Sequence, residues 1–431
     1  MRQDQKLAII ADDFTGAGDS GVHFSRFGKK VKLLLQFPSP QDARLQEGNI
    51  SINSETRFLA PDEAAATVAN VIGICRSQGY ERFYKKVDST MRGNPGAEIE
   101  AALKATGKAA ALICTAMPET GRTCRNGMIY LSGVPLHETD IGKDPFHPLA
   151  TSNIANMLGQ QSHFATAGLR IVDIDAGEEA LVSTIKAHIH AGSRLIIADA
   201  MTQYHLAALA RAGLLTDCLP VGAGGFARAL AASLAASLAA SLAATESRST
   251  ELRRVALEGP LLAIVGSLAK PSLRQADAAE TLGDYQSIML QPDGEPEDVA
   301  GLCRAQSEAV CGGFGDILLR MDNSCVAERI SKEEGARIAA LVGQAALELC
   351  QTHHCKTVFC TGGETAISVA SALGITAIDL VDELLPGVVL GACQSDKVDV
   401  QWFISKAGGF GDDAVLLDIQ AQTCIPIRKA Q

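Results

Sequence analysis

Short apolar runs alternate with longer segments of helical spacing along the first half of the chain. Residues 7–11 (Leu-Ala-Ile-Ile-Ala) are apolar throughout and stop at Asp12-Asp13, as expected for a strand buried on both faces. Similar runs predict strands at 31–35, 83–87, 109–114, 168–174 and 194–198, and a further strand leads into Asn53. Residues 60–78 carry a helical pattern with Pro61 near its start, a favoured first-turn position. This alternation predicts an α/β fold with a doubly wound, mostly parallel sheet flanked by helices. A second series of strands is expected at 261–265, 317–321, 357–360 and 402–405.

Between the two series, Ala231-Ala232-Ser233-Leu234 recurs at 235–238 and 239–242 in an uncharged stretch, 229–245. A membrane span needs about 20 strongly apolar residues, whereas this stretch is mostly Ala and Ser. It predicts a helix packing one face on the body of the protein. The charged segment 246–254 follows, which places two domains at 1–245 and 255–431.

A chain of 431 residues suits two domains. Hydrophobic residues make up 47% and charged residues 20%, a globular balance. The net charge of −11 argues against nucleic acid as a partner, so any anion site must be built locally. The 12 cysteines show no CxxC spacing, and the first residues lack a signal-peptide pattern. Reduced, mostly buried thiols in a cytoplasmic protein that is not bound to a membrane are expected. The assembly state is left open, a homo-oligomer included. Cys350, His353, His354, Cys355 and Cys360 cluster in sequence, and their spacing fits a helix end followed by a buried strand better than a metal site.

Asp12 and Asp13 stand at the carboxyl end of the first strand, the edge where open α/β sheets bind ligands. One of them could accept a proton or help hold Mg²⁺, or simply cap a helix. In Asn53-Ser54-Glu55-Thr56-Arg57, the arginine could fork onto a carboxylate or be a solvated surface group. The run Tyr84-Lys85-Lys86-Val87-Asp88-Ser89-Thr90-Met91-Arg92-Gly93-Asn94 concentrates cations, a carboxylate and hydroxyls at a strand end, a mixture suited to a small polyhydroxy anion. In the second half, glycine-bearing turns follow three strands: Val265-Gly266-Ser267, Cys360 to Ala366, and Ser405 to Gly411. Such turns let backbone N–H groups close on phosphate. Together they point to a nucleotide, although none is a Walker A or dinucleotide fingerprint.

In combination these residues resemble the four-carbon acid sugar kinase family. The resemblance rests on Ile10 to Ala17, on Tyr84 to Asn94 with Gly96 and Glu98, and on Gly121-Arg122-Thr123, Asn126-Gly127, Gly133 to Leu136 and Asp144-Pro145. It continues through Gly266-Ser267, Gly362 to Ala366, Pro386-Gly387 and Lys406 to Gly411, so that it spans essentially the whole chain. The 53–57 segment is most similar to that of members acting on D-threonate. The departures are the Ala-Ala-Ser-Leu expansion and Glu364 where many relatives carry Asp.

The resemblance implies an N-terminal sugar-acid domain, a C-terminal ATP domain, an active site in the cleft between them, and Mg-ATP-dependent phosphorylation of a 4-hydroxyl. It implies substrate contacts at Asp13, Arg57, Lys86, Val87, Asp88 and Ser89, with Asp13 or Asp12 catalytic. ATP contacts are implied at Ser267, Gly362, Gly363, Glu364, Thr365 and Gly408 or Gly409. Kinases of erythronate, L-threonate or 3-oxo-tetronate are the neighbouring readings, and a non-catalytic sugar-acid or nucleotide sensor is the reading from another class.

Overall fold

The computed structural model describes residues 5–143, 148–242, 252–257, 259–267, 269–292, 294, 301, 315–322, 332–421 and 424–428. Asp144-Pro145, residues 243–245 of the low-complexity stretch and most of the charged segment after it lie outside these. The chain forms two compact units, one of residues 1–32 and 36–249, the other of 33–35 and 250–431.

The strands of the first half are β1 (Lys6–Ala11), β2 (Val31–Leu34, whose last two residues count with the second unit), β3 (Asn49–Asn53), β4 (Tyr80–Lys86), β5 (Ala110–Cys114), β9 (Thr166–Leu169), β10 (Leu195–Ala198) and β11 (Cys218–Gly222). Their order is β2-β3-β1-β4-β11-β5-β10-β9, and the pairs from β3 to β9 are parallel. A small antiparallel sheet of β6 (Arg122–Arg125), β7 (Met128–Leu131) and β8 (Val134–Pro135) is inserted after β5.

The helices are α1 (Phe14–Arg26), α2 (Pro61–Ser77), α3 (Pro95–Thr106), α4 (Ile154–Gly159), α5 (Ile171–Asp175), α6 (Glu178–His190), α7 (Gln203–Leu214) and α8 (Gly224–Leu242). α8 packs against α1 and α7, while α2 packs against α3. α8 contains the described part of the Ala-Ala-Ser-Leu repeats and buries Phe226, Ala227, Leu230, Ala231 and Leu234.

The strand expected at 168–174 is corrected by the structure: β9 ends at Leu169 and α5 begins at Ile171. The Asp173 carboxylate accepts the Arg170 backbone N–H at 2.8 Å, which turns the chain into a helix where the apolar run alone suggested extension.

In the second unit β12 (Leu252–Ala256) pairs antiparallel with β20 (Cys424–Arg428). The larger sheet holds β13 (Leu261–Val265), β14 (Tyr285–Leu290), β15 (Asp316–Met321), β16 (Thr357–Thr361), β17 (Ala377–Leu385), β18 (Val388–Cys393) and β19 (Trp402–Lys406). Its order is β14-β15-β13-β16-β19-β18-β17. The first five strands are parallel, and β18 and β17 are antiparallel additions. The helices are α9 (Lys270–Leu282), α10 (Lys332–His353), α11 (Gly363–Ala372) and α12 (Val415–Ala421). The core joins Leu261, Ala263 and Val265 of β13 to Phe359, Ile404, Ala276 and Val415.

Among the described residues eight cysteines are free thiols, seven of them buried. Cys350 closes the last turns of α10 and Cys360 lies inside β16. No helix among the described residues is long and apolar enough to cross a membrane.

Candidate active site

Parallel register aligns three strand ends in the first unit, because Ala11 sits beside both Asn53 and Lys86. The residues that follow, Asp12-Asp13, Ser54 to Arg57 and Val87 to Arg92, therefore share one sheet edge. Their loops are fixed by the backbone. The Ser54 N–H and hydroxyl both donate to the Ala11 carbonyl, at 2.8 and 2.7 Å. Asn94 Nδ2 donates to the carbonyls of Thr56 and Leu59 at 3.0 and 2.8 Å. Gly93, at φ +86°, lies against Arg57, where a Cβ would come within 3.2 Å of the Arg57 carbonyl oxygen. Only a glycine suits both the backbone conformation and that approach.

Arg57 is the hub of this edge. Its Nε donates to Asp12 Oδ2 at 2.7 Å, its Nη1 reaches Asp13 Oδ2 at 2.8 Å, and its Nη2 lies 4.0 Å from Asp88 Oδ1. Asp13 also caps α1: its Oδ1 accepts the Gly16 N–H at 2.9 Å, and Oδ2 accepts the Thr15 hydroxyl at 2.8 Å. Asp13 is thus the helix cap, and the same side chain is ion-paired with Arg57. Burial pushes its carboxyl up, but Arg57 and Lys86 outweigh that and hold it below the usual carboxylate range.

Asp88 is forked by Arg92, through Nε at 2.7 Å and Nη2 at 3.1 Å. Arg92 and Arg57 overcome burial and hold Asp88 well below the usual range. Lys86 Nζ donates to the Val87 carbonyl at 3.0 Å and lies so near Gly16 that a Cβ there would meet it at 2.9 Å. Asp12, Asp13 and Asp88 are therefore balanced by Arg57, Lys86 and Arg92. Beneath them Lys85 Nζ contacts Glu98 Oε2 at 2.7 Å, both side chains 1% exposed. Burial keeps the Glu98 carboxyl above its ordinary range despite Lys85.

In the second unit the three glycine turns converge on Ser267. A Cβ on Gly408 would lie 2.3 Å from Ser267 Oγ, one on Gly362 would lie 3.3 Å from Ser267 Cβ, and one on Gly266 would strike Thr365 Oγ1 at 2.3 Å. Gly362 has φ +99° and immediately precedes α11. The first intrahelical bond of α11 runs from Ala366 N–H to the Gly362 carbonyl. The N–H groups of Gly363, Glu364 and Thr365 thus open the helix at its positive end, where anions are favoured.

Residues 7–230 match the family described as "Sugar-binding N-terminal domain", and residues 262–416 match "Nucleotide-binding C-terminal domain". The chain belongs to the four-carbon acid sugar kinase family. Within that family it is 30% identical to a D-threonate kinase of Salmonella typhimurium, over 96% of this chain and 97% of the relative. It is 32% identical to a D-threonate kinase of Bordetella bronchiseptica, over 95% and 96% of the two chains. A D-erythronate kinase of Heliobacterium modesticaldum is 29% identical, over 94% of each. The fold matches a solved Haemophilus influenzae structure with TM-score 0.72 and 20% identity, over 97% of this chain and 100% of the other.

For a four-carbon acid sugar kinase, the substrate residues expected from sequence fall into two groups. Asp13, Arg57, Lys86 and Asp88 come together, and Asp12 joins them through Arg57. Val87 is spent on structure, its N–H donating to the Gly222 carbonyl at 3.0 Å. Ser89 is buried beside Asp88. Of the expected nucleotide residues, Ser267, Gly362, Thr365 and Gly408 adjoin one another, Gly363 opens α11, and Glu364 and Gly409 are exposed. Arg92 and Glu98 are the parts of the first cluster that the sequence-derived site left out, although both lie within the motif.

Proposed function

We propose that the chain is an ATP-dependent kinase transferring the γ-phosphoryl group to the 4-hydroxyl of a four-carbon sugar acid, with D-threonate the preferred substrate. Residues 1–245 hold the sugar acid and residues 255–431 the nucleotide. The observation that carries this reading is the charge-balanced cluster of Asp12, Asp13, Asp88, Arg57, Lys86 and Arg92 at one sheet edge, in a chain 30–33% identical to three D-threonate kinases over nearly its full length.

The roles follow from what each group has left to give. Two of the Arg57 nitrogens are already on Asp12 and Asp13, so Arg57 acts by holding those carboxylates. Arg92 is one-third exposed along its side chain, and Lys86 points at the helix start. These two cations meet the substrate carboxylate, while Asp13 Oδ1 and Asp88 Oδ1, each holding one hydrogen bond, accept its hydroxyls with their second lone pairs. Asp13, kept ionised by its neighbours, orients the attacking hydroxyl and receives its proton as phosphoryl transfer proceeds. A loose phosphoryl-transfer transition state asks little more of a base.

Mg²⁺ accompanies ATP in such a reaction, neutralising phosphate charge. Of the three aspartates, Asp13 and Asp88 have both carboxylate oxygens engaged, and Asp12 Oδ1 is without a partner. That donor set fits an ion carried mainly by phosphate oxygens and water rather than by a carboxylate cage. The free thiols and the ATP requirement fit action in the cytoplasm.

The test is product identification. Incubation with Mg-ATP and D-threonate followed by phosphorus NMR should show a phosphate ester coupled to the C4 protons. An ester at another carbon, or none with D-threonate but one with D-erythronate, would overturn the assignment.

A further inference from the structure

The turn after β19 is shaped by side chains that the family motif does not contain or does not explain. Lys406 Nζ donates to the Ala407 carbonyl at 3.1 Å and the Phe410 carbonyl at 3.0 Å. From α9, Ser272 Oγ donates to the Gly408 carbonyl at 2.9 Å. Gln275 Nε2, from the same helix, donates to the carbonyls of Phe410 at 3.0 Å and Asp412 at 2.9 Å. Ser272, Gln275 and Lys406 are each at most 1% exposed.

Four carbonyls of one short loop are thus turned toward buried donors. No peptide in the described chain is cis. In a trans peptide the N–H of the next residue points opposite to the carbonyl. Drawing in the carbonyls of Ala407, Gly408, Phe410 and Asp412 therefore turns the N–H groups of Gly408, Gly409, Gly411 and Asp413 the other way. Successive outward N–H groups, here those of Gly408 and Gly409 with Gly411 and Asp413 beyond the inward Phe410 N–H, are the kind that makes an anion-binding concavity. The Lys406 ammonium adds a buried positive charge behind it. Gly408 borders Ser267, and a Cβ at Gly409 would meet nothing within 4 Å.

We propose that Lys406, Ser272 and Gln275 are positioning residues that hold the 407–412 loop as a preformed cradle for the phosphates of the nucleotide. This deepens, and rests on, the reading of residues 255–431 as the ATP-binding part. None of the three needs to touch the ligand. They act by fixing peptide planes, so that N–H groups need not reorganise when a polyphosphate arrives.

The experiment compares binding of ATP, inorganic tripolyphosphate and adenosine by calorimetry to full-length wild type, Gln275→Met and Ser272→Ala, each checked for native folding. Gln275→Met keeps the side-chain length and removes two carbonyl anchors. Tripolyphosphate and ATP affinity should fall about 10- to 100-fold, the scale of two hydrogen bonds, while adenosine affinity stays within about twofold. Ser272→Ala removes one anchor and should show the same pattern at about 3- to 10-fold, which serves if the first variant does not fold. Equal losses for adenosine and tripolyphosphate, or no loss for tripolyphosphate in a folded variant, would overturn the proposal. Gly363→Val is the control: if wild type binds ATP and this variant does not, the nucleotide reading stands whatever the outcome at Gln275. If wild type binds no ATP, that reading fails first.

Discussion

Replacing Arg57 by methionine removes the one cation among the described residues that touches both Asp12 and Asp13 and keeps most of the side-chain volume. The Arg57 side chain is 11% exposed and that of Asp12 only 4%. Asp12 Oδ2 has Arg57 at 2.7 Å, and Oδ1 has no partner, so the variant strands a buried carboxylate. Removing one partner of such a pair costs about 3–5 kcal/mol, a large part of the ~5–15 kcal/mol that holds a typical domain together. Asp13 suffers less, because the Gly16 N–H, the Thr15 hydroxyl and nearby Lys86 remain.

Urea unfolding of wild type and Arg57→Met, followed by circular dichroism, gives the loss directly. Adding Asp12→Asn to the methionine variant removes the stranded charge, and at least about 1 kcal/mol should return. In turnover, Arg57→Met should lower kcat with D-threonate through the loosened Asp13. The ratio of kcat/KM for D-threonate over threitol, which lacks the carboxylate, should change little. A stability loss below about 1 kcal/mol, no recovery in the double variant, or a collapse of the threonate-to-threitol ratio would refute the hub assignment.

Other variants probe the remaining parts. Arg92→Met should reduce the threonate-to-threitol ratio by about 10-fold or more, the scale of a charge-assisted hydrogen bond; an unchanged ratio would pass carboxylate reading to Lys86 alone. Asp13→Asn should lower kcat about 100-fold or more, and near-normal turnover would exclude Asp13 as the group that orients or takes the proton. Burial pushes the Lys406 ammonium down to about 8, so above that pH the unfolded chain binds the extra proton. Wild type should therefore gain stability relative to Lys406→Met as pH rises from 8 toward 10.5, by up to about 3 kcal/mol. Parallel urea midpoints at both ends of that window measure it, and a constant difference would contradict the shift.

The sequence disclosed those parts of the fold that are buried on both faces. β1 after Lys6 and the whole of β16 are buried at every position, so both read as largely apolar runs. β17 did not, because Asp379, Asp382 and Glu383 interrupt its apolar positions. Its partner β18 was missed with it: Leu385 and Val388 pair across a two-residue Pro386-Gly387 connection, a dipeptide that marks a turn but not the Asn-Gly or Asp-Gly of the commonest hairpins.

The site was legible as a set of residue types but not as a set of bonds. That Asp12, Asp13, Arg57 and Asp88 belong together could be read from motifs. That Arg57 is committed to two aspartates depends on the parallel register of β1 with β3, which local sequence does not encode. The same limit hid Gln275 and Ser272: they lie on α9, more than a hundred residues before the loop they hold. Nothing in a helix of ordinary composition marks them. Lys85 and Lys86 look equivalent in sequence, yet strand alternation sends one to Glu98 and the other to the site.

The central claim is that this chain moves phosphate from ATP to a four-carbon sugar acid. The most direct measurement is ADP release, coupled to NADH oxidation, with Mg-ATP and each of D-threonate, D-erythronate, L-threonate, 3-oxo-tetronate and threitol. The account predicts saturable ADP release with D-threonate at the highest kcat/KM, and at least about 10-fold less with threitol. Folded protein that releases no ADP with any four-carbon acid, or that turns over threitol as readily as D-threonate, would contradict it.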